Sequence, residues 1–165
     1  MNYENRFRTE VLPLKDKFFR LALRITLDRA EAEDITQETL IRMWEQREQW
    51  NEIQSLEAWG LTISRRLALD HTRKSQFKAE QEDIVNYQLS TVNLDTPPDE
   101  QLDQKQRIEA VRRLIDQLPE VQRTIIQLRD IEGLHYDEIA QATNLTDTQV
   151  KVYLHRARKK IRDSI

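Results

Sequence analysis

Asp34 and Glu38 stand one helical turn apart, a spacing at which two carboxylates could share a divalent cation. No positioned histidine, phosphate-cradling glycine loop or metal cluster accompanies them, so neither a metal centre nor an enzyme active site is expected, and no cofactor. The chain has no cysteine, which removes disulfides and thiolate ligands, and His71, His135 and His155 lie scattered. The chemistry on offer is charge recognition. Lys151, His155, Arg158, Lys159 and Arg162 fall on one arc of a helix, with Arg156 at its edge, while Val150, Leu154, Ala157 and Ile161 fall on the opposite arc. Such a basic arc neutralises phosphates, and Val152, set among the charges, could touch a thymine methyl.

Helices must carry these residues, and the composition agrees. Among 165 residues, 38% are hydrophobic and 33% charged, with two glycines and four prolines. So few breakers, with many helix formers, argue for an all-α fold. The basic arc belongs to a helix opened by a capping box, with Thr146 as N-cap and Gln149 three residues on. Before it comes a short helix from Tyr136 to about Thr143, then Asn144, which tolerates the left-handed conformation of a tight turn. A further helix starts after Pro119, taken as a first-turn proline, and runs through Val121, Ile125 and Leu128 towards Gly133. Short helix, tight turn and basic second helix form a helix-turn-helix, whose second helix enters the major groove. The plainer alternative is a basic helix that only complements its own dipole.

The first part of the chain reads as a second helical unit. A long helix spans Asp28 to Gln46, with Ala32, Ile35, Thr39, Leu40 and Met43 facing inward. Asp34, Gln37, Glu38, Ile41 and Glu45 share the outer arc. Ile41 ringed by acids suits a protein-binding patch for a basic partner, although a solvated helix with one stray isoleucine would look the same. The loop Trp50 to Ser55 leads into a helix from Leu56 to about Lys74, where Thr62, Arg66 and Arg73 make a polar stripe and Arg65, His71 and Lys74 add charge. With Trp59 alongside, the stripe suits single-stranded nucleic acid; Trp59 as plain core is the alternative. Between the units the chain turns acidic, and Thr96-Pro97-Pro98-Asp99 cannot continue a helix. The expected organisation is a domain at 1–77, a flexible acidic linker at 78–104 and a domain at 105–165. No apolar run is long enough to span a membrane and the first residues lack a signal-peptide core, so a cytoplasmic protein with no membrane insertion of its own is expected.

In this order these stretches resemble the extracytoplasmic-function (ECF) sigma factors of RNA polymerase, within the sigma-70 family. Residues Arg24 to Thr39 are close to the family's GDxxDAEDLxQETF. Ala58-Trp59, Ile63 and Ala68-Leu69-Asp70-His71-Thr72-Arg73 are similar to AWLYRIARNLAIDHLRR. Leu118-Pro119-Glu120, Leu128-Arg129, Glu132-Gly133-Leu134, Glu138-Ile139-Ala140, Val150-Lys151 and His155-Arg156-Ala157-Arg158 supply the third match. The resemblance implies a sigma-two-like bundle and a sigma-four-like helix-turn-helix domain that together direct core RNA polymerase to promoters. It assigns Asp34, Gln37, Glu38, Ile41 and Glu45 to the β′ clamp helices, and implies the β flap as a further polymerase contact. It assigns Asn51, Ile53, Gln54, Trp59, Thr62, Arg65, Arg66, Arg73 and Lys74 to the −10 element, one base being flipped into a pocket. To the −35 element it assigns Thr146, Thr148, Gln149, Lys151, Val152, His155, Arg156, Arg158 and Lys159. An anti-sigma factor is the further partner it implies.

The chain departs from the family pattern at four kinds of position. Arg66 stands where asparagine is common, Gly60 where a larger apolar residue is, His135 at the usual serine N-cap, and Asn144 and Thr143 at the turn glycine and an apolar position. The net charge of −3 is unlike a free-standing DNA binder and suits a protein that binds promoters only on the polymerase. The rivals are a stand-alone helix-turn-helix regulator and a helical adaptor that binds protein alone.

Overall fold

A computed structural model describes residues 2–81 and 104–165, with side chains for 2–74 and 104–165. The expected acidic linker falls almost wholly outside the described residues. The described residues form helices and turns, in two bundles.

The first bundle begins with α1 (Tyr3–Arg6), capped by Asn2, which accepts the Asn5 amide at 3.1 Å. It widens into a π-turn at Phe7–Val11 and tightens into a 3-10 turn at Leu12–Leu14. Sequence periodicity gives little warning of these changes of pitch. Next comes α2 (Lys15–Thr26), whose Phe18, Leu21, Ala22 and Ile25 are all buried. The helix stops at Leu27, a left-handed residue at φ 56°, and the chain turns at once into α3 (Arg29–Glu45). Asp28 caps α3 as expected, its carboxylate accepting the Glu31 amide at 3.1 Å. Ala32, Ile35, Thr39 and Met43 are buried, and Thr39 avoids an orphaned hydroxyl by donating to the Ile35 carbonyl at 2.7 Å.

A 3-10 turn (Arg47–Glu52) leads to α4 (Leu56–Gln81), which continues beyond residue 77, where the first domain was expected to end. Helices α2, α3 and α4 pack mutually through Leu21, Ile35, Leu61 and Ala68. Each large side chain fully buried here contributes about 1.5–3 kcal/mol. Gly60 sits at their closest approach. A Cβ there would lie 2.3 Å from Phe18 Cζ and 2.9 Å from Met43 Sδ, so the aromatic ring occupies the space a larger residue would need.

The second bundle comprises α5 (Gln104–Asp116), α6 (Glu120–Ile126) running into a π-turn at Gln127–Ile131, α7 (Tyr136–Thr143) and α8 (Asp147–Asp163). Pro119 is the N-cap of α6 and not its first helical residue. Ile125, Leu128, Ile139, Val150, Leu154 and Ala157 make its core.

The two bundles dock, α2 against α6 and α4 against α7. The ion pairs across the junction share one polarity, cations from the first bundle meeting acids from the second. Arg20 binds Glu132, Arg24 binds Asp116 at 2.8 Å, and Arg65 binds Glu120 through two contacts of 3.2 Å. Arg24 also donates to the buried Gln127 amide oxygen at 3.0 Å.

Candidate nucleic-acid interface

Helix α8 is placed by its capping box. The Thr146 hydroxyl accepts the Gln149 amide at 3.1 Å, and the Gln149 side chain accepts the Thr146 amide at 3.0 Å. Asn144 ends α7 in the left-handed conformation at φ 57°, ψ 42°, so asparagine does the work of a turn glycine. At His135 half of a capping box forms, Glu138 accepting the His135 amide at 3.2 Å. Thr143 is buried and satisfies its hydroxyl on the Ile139 carbonyl at 2.6 Å. These three departures from the usual residues therefore leave the motif's geometry whole.

Val150, Leu154 and Ala157 are buried, while Lys151, Val152, His155, Arg156 and Lys159 are exposed on the other side of α8, as are Thr146, Thr148 and Gln149 at its start. Val152 is 42% exposed between charged neighbours. Lys151 Nζ sits 5.4 Å above the Tyr136 ring and the Arg129 guanidinium 4.5 Å from it, which ties α7 and α8 together. Arg158 is exposed but already has a partner. Its guanidinium is held by Asp130, with Nε to Oδ2 at 3.0 Å, and that hydrogen bond raises its pKa. Arg158 thus braces α8 against the π-turn, and its positive charge is already compensated.

On α3 the outer arc is as expected, with Asp34, Gln37, Ile41 and Glu45 exposed and Glu38 half-buried. Ile41 is 55% exposed. Sequence reading missed Arg42, whose guanidinium binds Glu38 at 2.9 Å, so one acid of the arc carries its own counter-charge. The i,i+4 spacing of Glu38 and Arg42 was the available signal.

The third surface is the loop into α4. Trp50 is 1% exposed and donates from Nε1 to the Met43 carbonyl at 3.0 Å, with Phe7 stacked on it and Tyr3 edge-on. On that fixed base Asn51 and Gln54 are exposed and Ile53 half-buried. Ser55 caps α4, accepting the Ala58 amide at 3.1 Å. A cavity of about 520 Å³ opens beside the loop, bordered by Asn51, Ile53 and Gln54. Trp59 is half-buried against the core, so its ring belongs at least partly to packing.

Thr62 is buried and its hydroxyl donates to the Ala58 carbonyl at 2.7 Å, so its proton is committed within α4. Arg66, Arg73 and Lys74 are exposed along α4. Arg65 is turned to Glu120, and Ser55 donates to Glu138 at 3.0 Å, so the docked second bundle covers this edge of the surface.

The comparisons with known proteins fit this arrangement. The sigma-70 region 2 family matches residues 11–78 and the sigma-70 region 4 family residues 108–161. The ECF RNA polymerase sigma factor SigL of Mycobacterium tuberculosis is 32% identical over 149 residues, covering 87% of this chain and 80% of SigL. The chain belongs to the ECF sigma factors of the sigma-70 family. SigE of Mycolicibacterium smegmatis, another ECF sigma factor, is 32% identical over 152 residues; the match covers 90% of this chain and 57% of SigE. In fold, the chain is similar to the sigma factor RpoE solved with the anti-sigma factor NepR from Bartonella quintana, with a TM-score of 0.74 at 21% identity over 95% of this chain and 94% of that one. The first bundle is therefore a region 2 domain and the second a region 4 domain. Among the described residues no cluster suited to a metal ion occurs, and no helix is long and apolar enough to cross a membrane.

Proposed function

We propose that this sigma factor binds core RNA polymerase through the outer arc of α3 and directs it to promoters whose −35 element is read by α8 and −10 element by the loop at 51–55 with α4. The observation that carries the reading is α8 itself: a buried apolar stripe, a complete capping box and, opposite, Lys151, Val152, His155, Arg156 and Lys159 free to face a major groove. The open cavity of about 520 Å³ beside the region 2 loop, with room for a base, supports the −10 assignment, because melting exposes bases that need somewhere to go. Thr62 and Arg158 leave the DNA-contacting set.

The polymerase contacts follow from surface chemistry. Ile41 among Asp34, Gln37 and Glu45 suits basic helices, the role assigned to the β′ clamp helices. An apolar groove of about 620 Å³ in region 4, floored by Ile108, Ile126, Ile131 and Ile161 and edged by Arg107 and Arg162, suits the β flap. An anti-sigma factor is the proposed inhibitor, as with the RpoE that is solved in complex with NepR. Nothing in the geometry favours a stand-alone regulator.

Run-off transcription with core polymerase on pooled host promoters tests the proposal. New discrete transcripts are expected with the wild-type chain, and none with Asp34→Arg/Ile41→Asp or with Lys151→Ala/Arg156→Ala. Failure of the wild-type chain to bind core polymerase would overturn it.

A further inference from the structure

The region 2 loop starts from the 3-10 turn, where the Ile53 amide donates to the Trp50 carbonyl at 3.2 Å. Its first exposed residue, Asn51, is also held from the N-terminal helix. Arg6 Nη1 donates to the Asn51 side-chain oxygen at 2.8 Å, and Arg6 Nε donates to Glu10 at 2.6 Å. The Arg6 guanidinium also lies 5.6 Å from the centre of the Trp50 ring. One planar cation thus ties together a side chain of the π-turn, the aromatic base of the loop and the loop's exposed tip.

Glu10 belongs to the π-turn, which holds it where Arg6 can use it. Arginine can make this three-way link because its donors are fixed in one plane while its face stacks on an aromatic ring. Both residues border the cavity beside the loop. The acids on that cavity are compensated, Glu10 by Arg6 and Glu57 by Lys17 at 2.6 Å, so its walls offer no surplus positive charge for a phosphate. The occupant it suits is a neutral base. Arg6 sets the position of the wall such a base meets.

We propose that Arg6 is a positioning residue for −10 selectivity, acting through Asn51 from outside the segment that reads the bases. This rests on the reading of the 51–55 loop as the −10 reader. A preset loop discriminates between bases because a wrong base then meets fixed groups that it cannot satisfy; a loop free to adapt would accept more of them.

The test uses holoenzyme assembled from core polymerase and the full chain on a promoter that it transcribes. Open-complex formation is followed by permanganate reactivity, with all four bases placed in turn at each −10 position. Arg6→Ala is expected to lower open-complex formation on the best promoter by about tenfold, the scale of one charge-assisted hydrogen bond. It should also flatten the preference at one −10 position, while core affinity and −35 preference stay within about twofold. Asn51→Ala, which leaves the Arg6–Glu10 pair intact, should flatten the same position. Arg6→Lys keeps the charge but loses the planar fork, and should stay defective.

Wild-type selectivity in Arg6→Lys would reduce the role to bare charge and overturn the proposal. So would an Arg6→Ala chain that is weaker on every promoter with its base preferences unchanged, since that is the mark of simple destabilisation. Ile53→Ala and Gln54→Ala separate the two levels. If they alter −10 selectivity and Arg6→Ala does not, only the role of Arg6 falls. If none of them alters it, the −10 assignment of the loop falls too.

Discussion

The Arg20 guanidinium grips the Glu132 carboxylate with two hydrogen bonds across 112 residues of sequence, region 2 supplying the cation and region 4 the acid. Glu132 is the deeper partner, its side chain 2% exposed against 45% for Arg20, and that hydrogen bond raises the pKa of Arg20. Reversing the buried member should therefore be the more disruptive change. Glu132→Arg places a cation against Arg20 and near Arg24, and should separate the domains. Small-angle scattering at low salt is expected to show a larger radius of gyration. An unchanged radius would mean that the remaining contacts hold the docking without this pair.

Arg65 and Glu120 form the pair that covers part of the proposed −10 surface, with side chains 13% and 23% exposed. Glu120→Gln should free Arg65, and binding of a single-stranded −10 oligonucleotide by the chain alone should strengthen by about threefold to tenfold at low salt. The gain should shrink as salt rises. Equal affinity for both proteins at every salt concentration would show that Arg65 does not meet that strand.

On α8 the exposed and the committed cations should behave differently. Lys151→Ala in holoenzyme should weaken −35 binding on every sequence and reduce the salt slope by about one. Arg158→Ala should leave the slope nearly unchanged and instead lower the thermal midpoint, because Asp130 already holds it. A slope that falls equally for both would return Arg158 to the DNA-contacting set.

Ile41→Asp tests the other face. The side chain is exposed, so the melting temperature should hold while core affinity falls by about tenfold or more, as for an apolar anchor in a polar rim. Anisotropy of a labelled chain titrated with core polymerase gives the number.

Gly60→Ala should destabilise region 2 by about 1–3 kcal/mol through overpacking against Phe18 and Met43. Adding Phe18→Leu should recover part of it, measured by urea unfolding. Full additivity of the two changes would show that they do not share the space.

What the sequence discloses and what it hides follow from the range of the forces. The capping box of α8, the apolar stripes of α3 and α8 and the Asn144 turn act within a few residues, and each was readable from spacing alone. The π-turns at Phe7–Val11 and Gln127–Ile131 were not, because a change of helical pitch is set by what packs on it. Site residues divide the same way. Val152 and Ile41 were legible as apolar residues set among charges. The partners of Thr62 and Arg158 were not legible, since a polar residue at the right helical spacing can engage a neighbouring carbonyl or carboxylate that the sequence does not announce. Gly60 read as a gap in the family pattern, and Phe18, 42 positions away, explains it together with Met43.

The core of region 2 is built from residues 11–68, with α2, α3 and α4 packing on one another. Its own core residues therefore all lie within the first half of the chain, and on the ribosome that half can fold while region 4 is still being made. Docking, which needs Glu120, Glu132 and Glu138, comes last in synthesis. A nascent chain would thus expose the proposed −10 surface before it acquires the domain that covers part of it.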